Sequence, residues 1–218
     1  MTDVIPIFAV IVVGSPSSGS VTFIREILET FDEKRLAHAV NLDPSDDVDF
    51  DYDLIDIRQK YSISDFIEEH GYKASMPFCL DEILKDEEWF ETHILPLKGN
   101  FLLINLPGDL ESLIHVEVIP RLKHYLDSFG SHSMVVNLID SQLVLDSMAL
   151  IGAYMNSLSL VSLCNMPFLT VLTKSHLLRE DEIHTLSELI QASEDQIIDK
   201  INEFTCGVLA DMSVAFFE

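Results

Sequence analysis

The chain has 218 residues, with 13 basic against 37 acidic side chains and a formal net charge of −24 at pH 7. That length can bury a sizeable core in one α/β domain, while strong acidity without a basic stripe opposes direct contact with nucleic acid or anionic lipid. Cys79, Cys164 and Cys206 are odd in number and show no C-x-x-C spacing, so neither a disulfide framework nor a zinc site is indicated, and a reducing compartment is expected.

The apolar run from Val4 to Val13 stops at Gly14-Ser15-Pro16-Ser17-Ser18-Gly19-Ser20-Val21-Thr22. A β-branched run ending at glycine reads as a buried strand, and the small-residue loop then opens a helix near Val21. The alternative, a signal peptide, is opposed by Asp3 where a basic segment is required. No stretch reaches the roughly 18 uninterrupted apolar residues of a membrane span, so a soluble protein is expected. The outline is that of a phosphate-binding loop, G-x-x-x-x-G-K-[ST], in which backbone N–H groups cradle phosphates, lysine reaches the β/γ-phosphates and a hydroxyl binds magnesium. Gly14 and Gly19 stand at the required separation, but Ser20 occupies the lysine position and Val21 the hydroxyl position. Thr22 becomes a magnesium ligand only if the loop shifts by one residue. Two readings stay open for residues 14–22: a nucleotide site, or an inherited turn that no longer binds.

Phe23, Ile24, Ile27, Leu28 and Phe31 then fall at helical spacing. Ala37 to Leu42 reads as a short strand stopped by Asp43-Pro44, and an acidic loop, Asp43 to Asp53, follows as a solvated segment. Residues 62–70 read as a helix closed by Gly71. Phe78 to Leu95 reads as another, burying Phe78, Ile83, Leu84, Phe90 and Ile94. Phe101 to Leu106 is a strand stopped by Pro107-Gly108, and Leu110 to Phe129 is a helix with Leu113, Ile114, Val118, Leu122 and Leu126 inward. Residues 133–140 form a strand, and 142–163 a helix of low charge that is either central or an interface. Residues 168–173 form the last clear strand, followed by a helical pattern to Phe204 and an ambiguous segment from Cys206 to Phe217. Alternating strands and helices with continuous apolar strands imply a mostly parallel sheet covered on both faces. In such sheets ligands sit at the carboxyl ends of strands, which gathers residues 14–22, 41–44, 105–109 and 173–176 on one rim. The eight histidines form no H-x-x-x-H pair, and Ser141 lies in no G-x-S-x-G context, so neither a metal centre nor a serine hydrolase is supported.

Those four segments, in that order, resemble the GPN-loop GTPases. Asn41-Leu42-Asp43-Pro44 matches the family's N-L-D-P, Asp56-Ile57-Arg58 its D-I-R, and Asp140-Ser141-Gln142 a D-S-Q. Asn105-Leu106-Pro107-Gly108-Asp109 lies where the family has D-x-P-G-Q, and Thr173-Lys174-Ser175-His176 where T-K-x-D reads guanine. Phe78-Cys79 fits the helix-opening F-C of one paralogue, which places the name-giving G-P-N at Gly71-Tyr72-Lys73. The resemblance implies a single P-loop NTPase-like three-layer α/β domain over residues 1–218, with an insertion around 62–97 carrying the GPN loop. It implies GTP and magnesium as cofactors, held at residues 14–22, Gly108, Thr173, Lys174 and His176, with Thr22 and Asp43 at the metal and Asp109 and Lys73 at the catalytic positions. It also implies a heterodimer with an intact paralogue or a homodimer, RNA polymerase II subunits as clients of assembly and nuclear import, and a cytoplasmic location with shuttling to the nucleus.

The departures share a direction. Ser20 removes the phosphate-bound charge, Asn105 removes a carboxylate near the metal, Asp109 sets a negative charge where glutamine would place water, and His176 cannot accept two hydrogen bonds from guanine. The expectation is a pseudo-GTPase acting by dimerisation; the alternatives are an active GTPase with a rewired site and an acidic scaffold that binds no nucleotide. Asp43 and Asp56 are either metal-linked carboxylates or loop caps, with Asp56 pairing Arg58.

Overall fold

The computed structural model describes residues 6–31, 36–45, 50, 52 and 54–191. Strands β1 (Phe8–Gly14), β2 (Ala37–Asn41), β3 (Leu54–Asp56), β4 (Phe101–Asn105), β5 (His132–Asp140) and β6 (Phe168–Thr173) form one sheet in the order β3-β2-β4-β1-β5-β6. The β3–β2, β2–β4, β4–β1 and β1–β5 pairings are all parallel. The mostly parallel α/β sheet expected from continuous apolar strands is therefore present.

Both faces are covered, and alternation along the strands decides which residue goes where. Ile7, Ala9, Ile11 and Val13 of the first strand segment join Val40, Leu102 and Ile104 on one face. There they meet α3 (Tyr72–Ile83), α4 (Glu87–His93), α5 (Leu110–His115) and α6 (Val118–Ser128) through Cys79, Leu80, Phe90, Leu113 and Leu122. Val12, Ala39, Leu103 and Val136 face the other way and pack on Ile24 of α1 (Ser20–Glu29). Phe90 anchors the larger cluster, 1% exposed, stacked on Tyr125 at 4.8 Å and edge-on to Trp89 at 5.3 Å.

Several boundaries differ from the sequence expectation. The helix expected from Phe78 begins at Tyr72, with Pro77 inside it, and ends at Ile83; Asp86 then caps a separate helix by accepting from Trp89 N at 3.2 Å. Phe78 is not buried: it is 49% exposed and stacks on His70 of α2 (Ile63–His70) at 4.1 Å. The helix expected over 110–129 is two, because Glu117 adopts φ 55° and breaks it. A 3₁₀ turn, Ser141–Leu145, precedes α7 (Ser147–Cys164), and another, Ser175–Leu177, precedes α8 (Glu180–Gln191). Strand β3 has only three residues, too few for a period-2 pattern to show. The Asp46, Asp47, Asp49, Asp51 and Asp53 carboxylates of the acidic loop and the segment from Cys206 to Phe217 lie outside the described residues.

The chain divides into two compact units, residues 1–138 with 159–171, and residues 139–158 with 172–218. The first holds the loops after β1, β2 and β4. The second holds the turns after β5 and β6, where Leu178 and Leu186 are its buried apolar side chains among the described residues. No helix among the described residues is long and apolar enough to cross a membrane.

Candidate functional site

The loop between β1 and α1 has the shape its glycines require. Ser18 N donates to Ser15 O at 3.0 Å, Phe23 N to Gly19 O at 2.9 Å, and the turn passes through positive φ at Ser17 (63°) and Gly19 (94°). Such a turn points successive N–H groups inward as an anion-binding concavity, and no acidic residue occupies the first turn of α1. Gly14 is a close approach: a Cβ there would lie 2.4 Å from Ser18 Oγ and 2.7 Å from Leu138 O. Gly108 is another, since its Cβ would lie 2.8 Å from Pro16 N. The Pro-Gly turn after β4 therefore rests against the crown of the loop. Helix α1 begins at Ser20, with Thr22 exposed on it and Val21 half-buried.

Behind the loop, three strand ends carry a buried polar row. Asn41 is 0% exposed and Asn105 2% exposed. Asn105 Nδ2 donates to Asn41 Oδ1 at 3.0 Å, and Asn41 Nδ2 donates to Asp56 Oδ1 at 3.0 Å and to Asp43 O at 3.0 Å. Asp43, buried, accepts from Ser45 N at 2.9 Å and Ser45 Oγ at 2.6 Å. Asp56 pairs with Arg58, whose Nη2 lies 2.7 Å from its Oδ2. Burial pushes the Asp56 pKa up, but hydrogen bonds from Arg58 and Asn41 outweigh it and hold the carboxyl below its ordinary value. Both aspartates thus have the loop-capping and ion-pairing roles open to them from the sequence. Sequence reasoning gave Asn41 no role of its own. The available signal was that both strands end in the same Asn-Leu pair, at Asn41-Leu42 and Asn105-Leu106.

Gly71 takes φ 78° and opens α3, leaving Tyr72 83% exposed. Lys73 and Asp109 line one groove of about 920 Å³ with Ser45, Ile67, Met76 and His115, so the two catalytic-position residues come together beside the N-L-D-P loop. Asp109 is occupied as the cap of α5, accepting from Ser112 N and Ser112 Oγ. In the second unit, Lys174 adopts φ 57° and binds Asp140 Oδ2 at 2.8 Å. Burial raises the Asp140 pKa, and the Lys174 and Gln142 hydrogen bonds bring it below its ordinary value. Thr173 Oγ1 donates to Ile139 O at 3.3 Å, and His176 is exposed. No group of three or more metal-ligating side chains is assembled among the described residues.

Residues 12–215 match the model of a family described as conserved hypothetical ATP binding protein. Relatives include GPN-loop GTPase 3 of Kluyveromyces lactis, 26% identical over 201 residues, spanning 90% of this chain and 74% of the relative. The same protein of Saccharomyces cerevisiae is 28% identical over 176 residues, 79% of this chain and 65% of the relative, and that of Danio rerio 26% identical over 230 residues, 97% and 80%. The crystal structure of an apo-form GTPase from Pyrococcus abyssi superposes with a TM-score of 0.79 over 97% of this chain and 84% of that one, at 20% identity, a likeness of fold. The match along nearly the whole chain, carried by a sheet whose first loop is built as a phosphate-binding turn, makes this protein a member of the GPN-loop GTPase family.

Proposed function

We propose that this chain is a catalytically impaired GPN-loop subunit, a pseudo-GTPase that works by associating with an intact family member or a second copy of itself. The observation that carries the reading is Ser20 at the first position of α1, a neutral hydroxyl where a phosphate-bound lysine is required. The magnesium side fits no better, since Asn105 is a neutral amide tied to Asn41 and Thr22 is exposed. Magnesium keeps most of its waters and is held through carboxylates. Lys174 is engaged by Asp140, and the exposed His176 cannot accept from both guanine N–H groups. The backbone concavity alone fits weak anion binding. By family resemblance the complex serves the assembly and nuclear import of RNA polymerase II in the cytoplasm and nucleus.

Titration calorimetry with GTP, GDP and ATP at millimolar magnesium tests the site, and co-purification with an intact GPN-loop GTPase tests the partnership. The expected results are no tight nucleotide binding by the isolated chain and a stable complex with the partner. A second reading, a GTPase with a rewired site, draws on Lys73 and Asp109 lining one groove. It requires magnesium-dependent GTP binding that disappears on changing Lys73 or Thr22. An acidic scaffold outside this chemistry would show neither nucleotide nor partner.

A further inference from the structure

Three adjoining hollows run along one side of α3, within the first unit. At its amino end lies the groove that holds Lys73 and Asp109, about 920 Å³. A hollow of about 390 Å³ follows, sharing Pro77 and His115 with the first and lined also by Phe78 and Glu117. Arg121 joins it to a third, about 490 Å³, which reaches Glu87 and Glu91 of α4 and Tyr125 of α6. Helix α3 has 12 residues, about 18 Å of rise. With α5 and α6 opposite, it bounds a trough long enough for about six residues of extended chain.

Floor and walls differ in character. Met76, Pro77 and Phe78 supply apolar surface; Phe78 is 49% exposed, stacked on His70 at 4.1 Å and lining the middle hollow with the rest of its ring. Along the walls stand six carboxylates and three cations. Two of those cations are already bound within the chain. Arg121 Nη1 lies 2.8 Å from Asp81 Oδ1, and Lys85 Nζ lies 2.7 Å from Asp81 Oδ2 and 2.8 Å from Glu82 Oε1. Among the described residues lining the trough, Lys73 is then the cation left against Asp109, Glu111, Glu117, Glu87 and Glu91, which hold no ion pair. Carboxylates gathered without a counter-charge repel one another, and a cationic partner relieves that repulsion.

We infer that this trough docks an extended lysine- or arginine-rich segment of a partner protein, with an apolar residue of the segment seated on Phe78. A second copy of this chain brings the wrong sign, having 37 acidic against 13 basic side chains. A free polyamine would meet the carboxylates but leave Phe78 bare. The inference stands on shape and charge, and it holds whether or not the loop after β1 binds nucleotide.

Fluorescence anisotropy with the full chain tests it, using a labelled peptide of about eight residues in which lysine alternates with leucine. The peptide should bind, and weaken about tenfold between about 50 and 500 mM salt. Glutamate in place of its lysines should abolish binding, and serine in place of its leucines should weaken it about fivefold. Glu111→Gln combined with Glu117→Gln should weaken binding about fivefold. Glu26→Gln combined with Glu29→Gln removes the same charge from exposed positions of α1, on the opposite face of the sheet, and should change it by less than about twofold. Phe78→Ala should weaken it about fivefold. Absence of binding overturns the inference, and so do equal losses from the two glutamate pairs, or spermine or the leucine-free peptide binding as tightly as the probe. If Phe78→Ala fails to fold, the two glutamate pairs, all four residues exposed, still decide.

Discussion

Gly14 is where the loop meets β5 most closely, and Gly14→Ala tests whether the turn is built as described. The added Cβ would lie 2.4 Å from Ser18 Oγ, 2.7 Å from Leu138 O and 3.1 Å from Leu138 Cβ, all inside the ~3.5 Å at which non-bonded heavy atoms attract. A serine hydroxyl can rotate away. The Leu138 carbonyl cannot, because Gly14 and Leu138 are register partners in the β1–β5 ladder, so the backbone itself must give. Overpacking of this kind costs about 1–3 kcal/mol, and for a chain of this size each kcal/mol moves the melting temperature by about 2–4 °C, giving a fall of about 2–12 °C. Gly152 supplies the control: it lies inside α7, where a Cβ meets nothing within 4 Å. Gly152→Ala should gain about 0.5–1 kcal/mol of helix preference, a rise of roughly 1–4 °C. Thermal melts followed by circular dichroism measure both. If Gly14→Ala melts with the unaltered chain while Gly152→Ala behaves as expected, the close approach at Gly14 is wrong.

Phe90→Ala removes a ring that is 1% exposed and stacked on Tyr125, and urea denaturation should show a loss of about 3–5 kcal/mol. Asp56 gives an acid signature. Its carboxyl is raised by burial but brought below the ordinary 3.8 by Arg58 and Asn41, so its contribution is present above pH 3.8 and is lost as pH falls through the lower folded value. Acid unfolding of Asp56→Asn should consequently lack that step, and an identical acid profile would show that the ion pair does not couple to folding. Burial pushes the Cys79 thiol up to about 12, helped by Asp43, and the Cys164 thiol up to about 11. At about pH 8 neither forms appreciable thiolate; a thiol reagent should leave both unlabelled in the native chain and modify both in denaturant.

Much of the sheet was legible because its strands are continuous apolar runs ending at turn residues. Val13-Gly14, Leu106-Pro107 and Leu42-Asp43-Pro44 each mark a strand end, the first by a glycine that closes the apolar run as the last residue of the β1–β5 ladder, the others by a proline that cannot donate to one. The helices on the insertion were less legible. Pro77 looks like a start, yet the helix absorbs it in its middle, because Gly71 at φ 78° begins the turn six residues earlier. Glu117 is invisible as a breaker in sequence, since a left-handed glutamate carries no composition signal. At the site, the lysine position at Ser20 was readable from spacing, and the aspartate and glutamine positions from the family resemblance. The partners of the replacements were not. Asn41, Asn105 and Asp56 are far apart in sequence and become a row only through strand register.

That row bears on how such a rim stays folded once its residues have changed. Where the family resemblance implies an aspartate, the Asn105 amide nitrogen donates to Asn41, which is itself bonded to Asp43 and Asp56, so half of the amide is satisfied by the row while Oδ1 finds no protein donor among the described residues. Asp109, wrongly signed for a phosphate, caps α5, a role in which a carboxylate is favourable by about 1 kcal/mol. Lys174, which keeps the lysine of the family pattern, neutralises Asp140. Asn105 and Asp109, two of the positions that depart from the family pattern, each hold a structural partner. On the proposed pseudo-GTPase reading, restoring aspartate at Asn105 or glutamine at Asp109 sets a new contact against an existing one. Ser20 opens α1 at the position where the phosphate-bound lysine would stand, and on that reading it is the position from which reconstruction of the site should begin.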